Sequence, residues 1–356
     1  MPSTDLPTDS EATFVPGLEL NRDFYTREVA PLLADHHHSA ALLGWGSDVL
    51  GYDTPRSVDH GWGPRLQIFA DPDRIDAVRH ALEGRLPETF HGWPVSYGWD
   101  RMTEQSHVEV IGMGDWLIGQ LGVDPRSGLS PTDWLAIPQQ QLLGVTRGAV
   151  YADPDGELAA VRCRLVWYPD DVWLWLMACE WHRISQEIAF TGRAAEVGDD
   201  LGSAIIAVRL AREVMRLWFL QHRSYWPYTK WFGTAFARLP DVTDLKAALD
   251  RAVSAPEYPD REAALVAAYR IVAARHDALK ITDPVDWSIG PYFSRPYRVL
   301  HGAFAEACLS AIGDDHLRTL PLVGSVDQFV DATDVLSASG RSRMLKRFLE
   351  RLCASS

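Results

Sequence analysis

Two short stretches carry residues whose types and spacing could do chemistry. Gly46-Ser47-Asp48-Val49-Leu50-Gly51 puts a Gly-Ser pair after an apolar run, with a second glycine four residues beyond the serine. Ser57-Val58-Asp59-His60-Gly61-Trp62 then supplies a carboxylate about a dozen residues downstream. Taken alone, a Gly-Ser pair is an ordinary tight turn. Gly61, two residues after Asp59, has no side chain with which to ligate anything. Farther on, Tyr225, Tyr228, Lys230 and Trp231 join aromatic rings to a cation around Pro227. Lys230 could meet a phosphate as a point charge while Tyr228 or Trp231 stacks on a base or sugar; an aromatic-rich helix junction explains the same residues equally well. Arg65, Arg183 and Arg193 are further candidates for anion contacts, set against the default that helix arginines face solvent or pair with carboxylates. His36-His37-His38 looks like a metal clamp, but three consecutive side chains cannot converge on one ion from a regular element. That run reads instead as a loop with one histidine packed under the first strand.

The elements that must position these residues are legible from their periodicity. Leu18 to Leu33 has helical spacing, and Ser39-Ala40-Ala41-Leu42-Leu43-Gly44-Trp45 reads as a buried strand feeding the Gly-Ser turn. Arg65-Leu66-Gln67-Ile68-Phe69 reads as the neighbouring strand, Ile75 to Leu86 as a helix, and His107-Val108-Glu109-Val110-Ile111 as a further strand. After about residue 145 the texture turns helical: 172–191, 204–221, 245–253, 261–279, 299–312 and 341–352 carry apolar residues at helical spacing. Asp170-Asp171 and Asp199-Asp200 fall at helix starts, where carboxylates cap N–H groups. The fourteen tryptophans, Trp167, Trp173, Trp175 and Trp181 among them, are mainly core, with one or two placed to line a pocket that stacks on a planar ligand. The fold class expected is α+β: a lead over 1–15 rich in Pro, Ser, Thr and Asp, a mixed α/β domain over 16–145 and a helical bundle over 146–356.

Composition bounds the function. A chain of 356 residues exceeds one comfortable core, and nearly half its residues are apolar. A formal net charge of −14 argues against an extended nucleic-acid footprint, which needs clustered Lys and Arg, while leaving small phosphorylated ligands open. Cys163, Cys179, Cys308 and Cys353 are scattered without metal-type spacing and read as reduced thiols. A cytoplasmic setting is the corresponding expectation. No apolar run reaches the roughly 18 residues of a membrane span, and the N-terminus is polar and acidic rather than basic-then-apolar.

Taken together, Gly46 to Asp53, Asp59-His60-Gly61-Trp62-Gly63-Pro64-Arg65-Leu66, Gly198-Asp199-Asp200-Leu201-Gly202-Ser203, Tyr228 to Phe236 and Gly324-Ser325-Val326-Asp327-Gln328-Phe329 resemble a bacterial domain-of-unknown-function family. That family has a polymerase-beta-like nucleotidyltransferase front half and a helical back half similar to that of kanamycin nucleotidyltransferase. The resemblance implies Mg²⁺-dependent transfer of a nucleoside monophosphate from ATP or another triphosphate to a small hydroxylated acceptor. Carried over residue by residue, Gly46 and Ser47 would contact phosphates and Asp59 would be the first metal ligand. Glu109 would be a further carboxylate of the metal site, and Arg65, Tyr228 and Lys230 would help hold the nucleotide. Related members usually carry Asp where this chain has Gly61; His60 or Asp53 would have to supply a replacement, or the metal site is lost. The alternative is therefore a degenerate nucleotidyltransferase fold serving as a small-molecule binding protein or a biosynthetic enzyme without metal-dependent transfer. The kanamycin enzyme analogy implies a homodimer that completes the site. Arg216 and His222, six apart on one helix, also fit the loose spacing of helical ribonucleases, which would make His222 catalytic. Related sequences tend to carry Glu at that position, and a pocket-lining histidine is the plainer reading.

Overall fold

The computed structural model describes residues 13–98 and 102–354. The lead expected over 1–15 therefore lies, up to residue 12, outside the described residues. The fold is α+β. Two compact units make it up, each built around its own core. The first comprises the residues up to Gly128 together with Gln141–Val166 and Ser337–Gly340, and the second comprises Leu129–Gln140, Trp167–Leu336 and the residues from Arg341 on.

The first unit is organised by a four-stranded mixed sheet in the order β3-β2-β1-β4, where β1 is Ser39–Leu42, β2 Leu66–Phe69, β3 Val108–Ile111 and β4 Ala149–Ala152. β1 runs antiparallel to both β2 and β4, whereas β2 and β3 are parallel, with Gln67 opposite Glu109. Every residue of β2 is buried, as expected of a central strand covered on both faces. Helix α1 (Gly17–Phe24) continues through a π-type turn at Tyr25–Val29, so that Leu20, Phe24, Val29 and Leu33 pack on Ala40, Leu66 and Ile68. The chain leaves β1 through Gly44 and Gly46, both at positive φ, into the single-turn helix α2 (Ser47–Leu50).

The second unit is helical. Helices α3 (Asp170–Glu187), α4 (Asp200–Gln221) and α5 (Tyr258–Leu279) are its longest members. Trp173, Trp175 and Trp181 of α3 are buried core, and Trp181 stacks on Phe304 at 4.1 Å. The Gly198-to-Ser203 stretch is explained locally. Asp199 caps α4 by accepting from the Gly202 N–H at 2.8 Å, a β-carbon on residue 202 would overlap that carboxylate, and the buried Ser203 hydroxyl accepts from Arg261 of α5 at 2.7 Å.

Two elements differ from the sequence reading. The helix expected over 299–312 begins only at Phe304 and ends at Ala311, because Arg295–His301 pairs antiparallel with Ser288–Tyr292 as a hairpin. Alternation of buried Tyr297 and Val299 with exposed neighbours is a period-2 pattern, and it overrides the weaker helical spacing. Strand β4, after residue 145, belongs to the sheet of the first unit; its four half-buried residues form a short edge strand with little periodicity to read.

Candidate functional site

The Gly-Ser turn is built around a buried ion pair. Arg65, immediately before β2, donates from Nε to Asp48 Oδ2 at 3.0 Å and from Nη2 to Asp48 Oδ1 at 2.8 Å, and its Nη2 also donates to the Trp45 carbonyl at 2.7 Å. Both side chains are almost fully excluded from solvent. Burial alone would lower the Arg65 pKa, and the Asp48 carboxylate overcomes that and raises it. The Arg65 backbone N–H donates to Asn21 Oδ1 at 2.6 Å, and Asn21 in turn donates to the carbonyls of Gly17 and Gly63. Asp53 accepts from the Gly17 N–H at 2.6 Å and from Trp62 Nε1 at 2.9 Å. Two carboxylates of this loop, Asp48 and Asp53, are thus committed to holding its shape. Arg65, expected to contact a nucleotide, directs its Nε and Nη2 at Asp48 and the Trp45 carbonyl.

Three expected site residues keep their functional atoms disengaged. The half-buried Ser47 hydroxyl, the exposed Asp59 carboxylate at the end of the 3₁₀ turn Pro55–Asp59, and the exposed Glu109 carboxylate have no hydrogen-bond or ion-pair partner among the described residues. Crowding around the Glu109 carboxyl still pushes it above the usual carboxylate range. Glu109 lies opposite Gln67, whose Oε1 accepts from the Leu43 N–H at 2.9 Å, so it stands on the sheet near the strand end that leads to the Gly-Ser turn. Gly46 has φ +128, and a β-carbon there would overlap both Asp48 Oδ1 and Arg65 Nη2. Gly61 is buried with φ +62.

The donor set for a metal is incomplete. Among the described residues no group of three His, Cys, Asp or Glu side chains is placed to hold an ion. The triple histidine is one instance. His38 is half-buried, with Nε2 against the Tyr25 hydroxyl at 3.0 Å and Nδ1 against the His36 carbonyl at 2.7 Å, while His37 turns to Asp155 at 3.3 Å. A cavity of about 190 Å³ touching His37, His38, Asp71 and Asp115 sits where β1 begins and β2 ends, at the opposite end of these antiparallel strands from the Gly-Ser turn.

In the second unit, His222 caps the end of α4 with Nδ1 against the Trp218 carbonyl at 2.8 Å, and burial lowers its pKa. Arg216, the other half of the ribonuclease-like pair, is buried against Glu213 at 3.1 Å. Tyr228 accepts from Trp231 Nε1 at 2.7 Å, and the exposed Lys230 lies over the Trp231 ring at 5.0 Å. The sequence reading passed over Glu180 and Glu213, although a carboxylate inside a run such as Trp-Leu-Met-Ala-Cys-Glu-Trp marks a buried charge. Glu180 is fully buried, and burial followed by the adjacent Glu213 raises its pKa well above the usual range. For Glu213 burial acts in the same upward sense, but Arg216 and other neighbours outweigh it and hold the carboxyl low. The two carboxyls are therefore driven in opposite directions, Glu180 up and Glu213 down. Gln328 donates to Glu180 Oε2 at 2.7 Å, and the neighbouring Asp327 accepts from the Gln139 N–H at 2.9 Å.

Residues 134–232 match the family described as a domain of unknown function, DUF4037. No curated protein matches the chain. Among solved structures, a nucleotidyltransferase-like protein from Exiguobacterium sibiricum 255-15 is similar at 10% identity and a TM-score of 0.33, over 80% of this chain and 98% of that one. A likeness at that level carries no functional argument.

Gly46→Ala should cost on the order of 3 kcal/mol, since it adds strain at positive φ to an overlap with a buried ion pair. Gly51→Ala, at φ +68 with open space around it, should cost about 1 kcal/mol; urea unfolding of both variants measures the difference. Burial raises the Asp327 carboxyl to about 7 from an ordinary 3.8, with the Gln139 N–H and Arg216 pulling the other way. Between those values the folded state holds the proton and the unfolded state does not, so this group's contribution is full below about 3.8 and is lost as pH rises through about 7. Asp327→Asn keeps an acceptor for Gln139 but removes the charge. Its stability relative to wild type should rise from about pH 5 to about pH 8, by at most about 3 kcal/mol, in thermal melts across that range.

Proposed function

We propose that the first unit binds a small phosphorylated molecule, a nucleotide foremost, at the Gly-Ser turn, and that it does so without metal-dependent nucleotidyl transfer. The observation that carries this reading is how the loop's carboxylates are used. Asp48 is locked by Arg65, Asp53 by Gly17 and Trp62, and Gly61 offers no side chain, which leaves Asp59 and Glu109 without a third ligand among the described residues. An Mg²⁺ ion at such a site is held by one or two carboxylates together with substrate phosphates, so Asp59 and Glu109 would have to be its whole set of protein ligands here. What remains is a Ser47 hydroxyl with no partner among the described residues, in a turn flanked by glycines at positive φ. Such a turn can supply a hydroxyl donor to a phosphate oxygen at little cost in reorganisation.

A second reading, a working nucleotidyltransferase for a small hydroxylated acceptor, draws on one specific observation. Asp59 and Glu109 are both exposed and disengaged, as carboxylates awaiting a ligand would be. The two readings separate in one experiment. ATP, CTP, GTP and UTP are titrated calorimetrically with and without Mg²⁺, and pyrophosphate release is followed for wild type and Gly61→Asp. The left-handed φ of residue 61 is one that Asp tolerates. We expect wild type to bind one triphosphate with affinity changed by Mg²⁺ less than about threefold, and to release no pyrophosphate. Mg²⁺-dependent release from wild type that disappears in Asp59→Ala would overturn the proposal in favour of the transferase.

A further inference from the structure

The second unit holds a cleft that the reading above does not use. It has a volume of about 510 Å³ and lies between α3, α4 and the segment around Phe329; Arg183, Arg209 and Arg212 line it together with Ile205, Val208 and Phe329. That volume is in the range of small-molecule sites. Ile205 and Val208 are 60% and 47% exposed, unusual for such side chains on a long helix, and they form its apolar wall.

The polar wall is built from inside. Glu213 is buried and receives Arg216 Nη1 at 3.1 Å and Arg212 Nη2 at 3.2 Å, which fixes both guanidinium groups. Arg216 is itself more than nine-tenths buried. Their remaining donors converge on one exposed carboxylate, that of Asp331, with Arg212 Nη1 at 2.9 Å and Arg216 Nη2 at 3.6 Å. Among the described residues Arg183 makes a long bond to the Val323 carbonyl, at 3.4 Å, and its buried Nε has no partner. Arg209 pairs with Glu187 at 2.8 Å. Four arginines, Arg183, Arg209, Arg212 and Arg216, thus meet three carboxylates here, those of Glu187, Glu213 and Asp331, on a chain whose net charge is −14.

We propose that this cleft binds a small molecule carrying a carboxylate or phosphate on an apolar body. Its oxyanion would sit between Arg212 and Arg216, in the position the Asp331 carboxylate now takes, and its apolar part against Ile205, Val208 and Phe329. Asp331 is the natural stand-in because it is the exposed member of the cluster. A ligand oxyanion of the same charge can replace it without leaving the buried Glu213 unpaired.

The test uses the full chain and four probes: benzoate, phenyl phosphate, inorganic phosphate and neutral benzamide, titrated by calorimetry. We expect benzoate or phenyl phosphate to bind at least about tenfold more tightly than both inorganic phosphate and benzamide, since each of those lacks one half of the recognised pattern. Whichever of the two binds more tightly assigns the oxyanion. Asp331→Asn removes the competing carboxylate and should tighten binding by about fivefold, the scale of one exposed ion pair. Arg212→Gln should weaken it by at least about tenfold. Val208→Glu, which adds a negative charge to the exposed wall and leaves the buried pairs intact, should weaken it as well, so the outcome does not hinge on how Arg212→Gln folds. Absence of binding in both wild type and Asp331→Asn overturns the proposal, as does weaker binding in Asp331→Asn or unchanged binding in Val208→Glu.

Discussion

The first unit depends on one interaction, the buried pairing of Asp48 with Arg65. Placing two charges out of water is expensive, and the arrangement survives because every oxygen and most N–H groups involved are satisfied: two bonds between the partners, one to the Trp45 carbonyl, and one from the Arg65 backbone to Asn21. The geometry has consequences in both directions along the chain. It requires glycine at residue 46, where a β-carbon would fall on the pair, and it fixes the point at which β2 begins. Asn21 extends the same network to the backbone of Gly17 and Gly63, so helix α1, the Gly-Ser turn and the loop before β2 are locked as one polar joint inside an apolar core.

The second unit solves a similar problem with different groups. Val172 to Trp181 of helix α3 is buried throughout, so a carboxylate within that stretch has no route to solvent, and Glu180 is buried with Gln328 as its donor. Pairing it with Glu213 and the two arginines gathers four ionisable groups in a small volume. Arginine is suited to this because its fork can serve a buried carboxylate on one side and an exposed one on the other. Buried Glu213 anchors both guanidinium groups and so positions the donors that face the exposed Asp331.

Much of the layout was legible in the sequence. An apolar run bounded by glycine located β1, alternation located β2, β3 was legible as a further strand beyond it, and long helical periodicities located α3, α4 and α5, the first two with their acidic starts. The Gly-Ser turn follows β1 as its neighbours implied. Less legible was what each polar residue does. Arg65 reads as an exposed cation because nothing local says that Asp48, seventeen positions earlier, will be folded against it. Asp53 looks like a spare ligand until the Trp62 indole and the Gly17 N–H are seen to claim it. The hairpin at Ser288–His301 was missed because its alternation is short and runs straight into a true helix. Glu180 and Glu213 were readable in principle, since a lone carboxylate within an apolar helix is a stronger signal than a Gly-Ser pair.

The account is tested most directly by a double-mutant cycle on Asp48 and Arg65. Asp48→Leu, Arg65→Met and the double variant would be compared with wild type by urea unfolding. If the pair is the joint described, each single change strands a buried charge and costs about 3–5 kcal/mol, while the double variant is no less stable than either single one. Additive losses, within about 0.5 kcal/mol, would mean that the two residues act independently and that the Gly-Ser turn is held by something else.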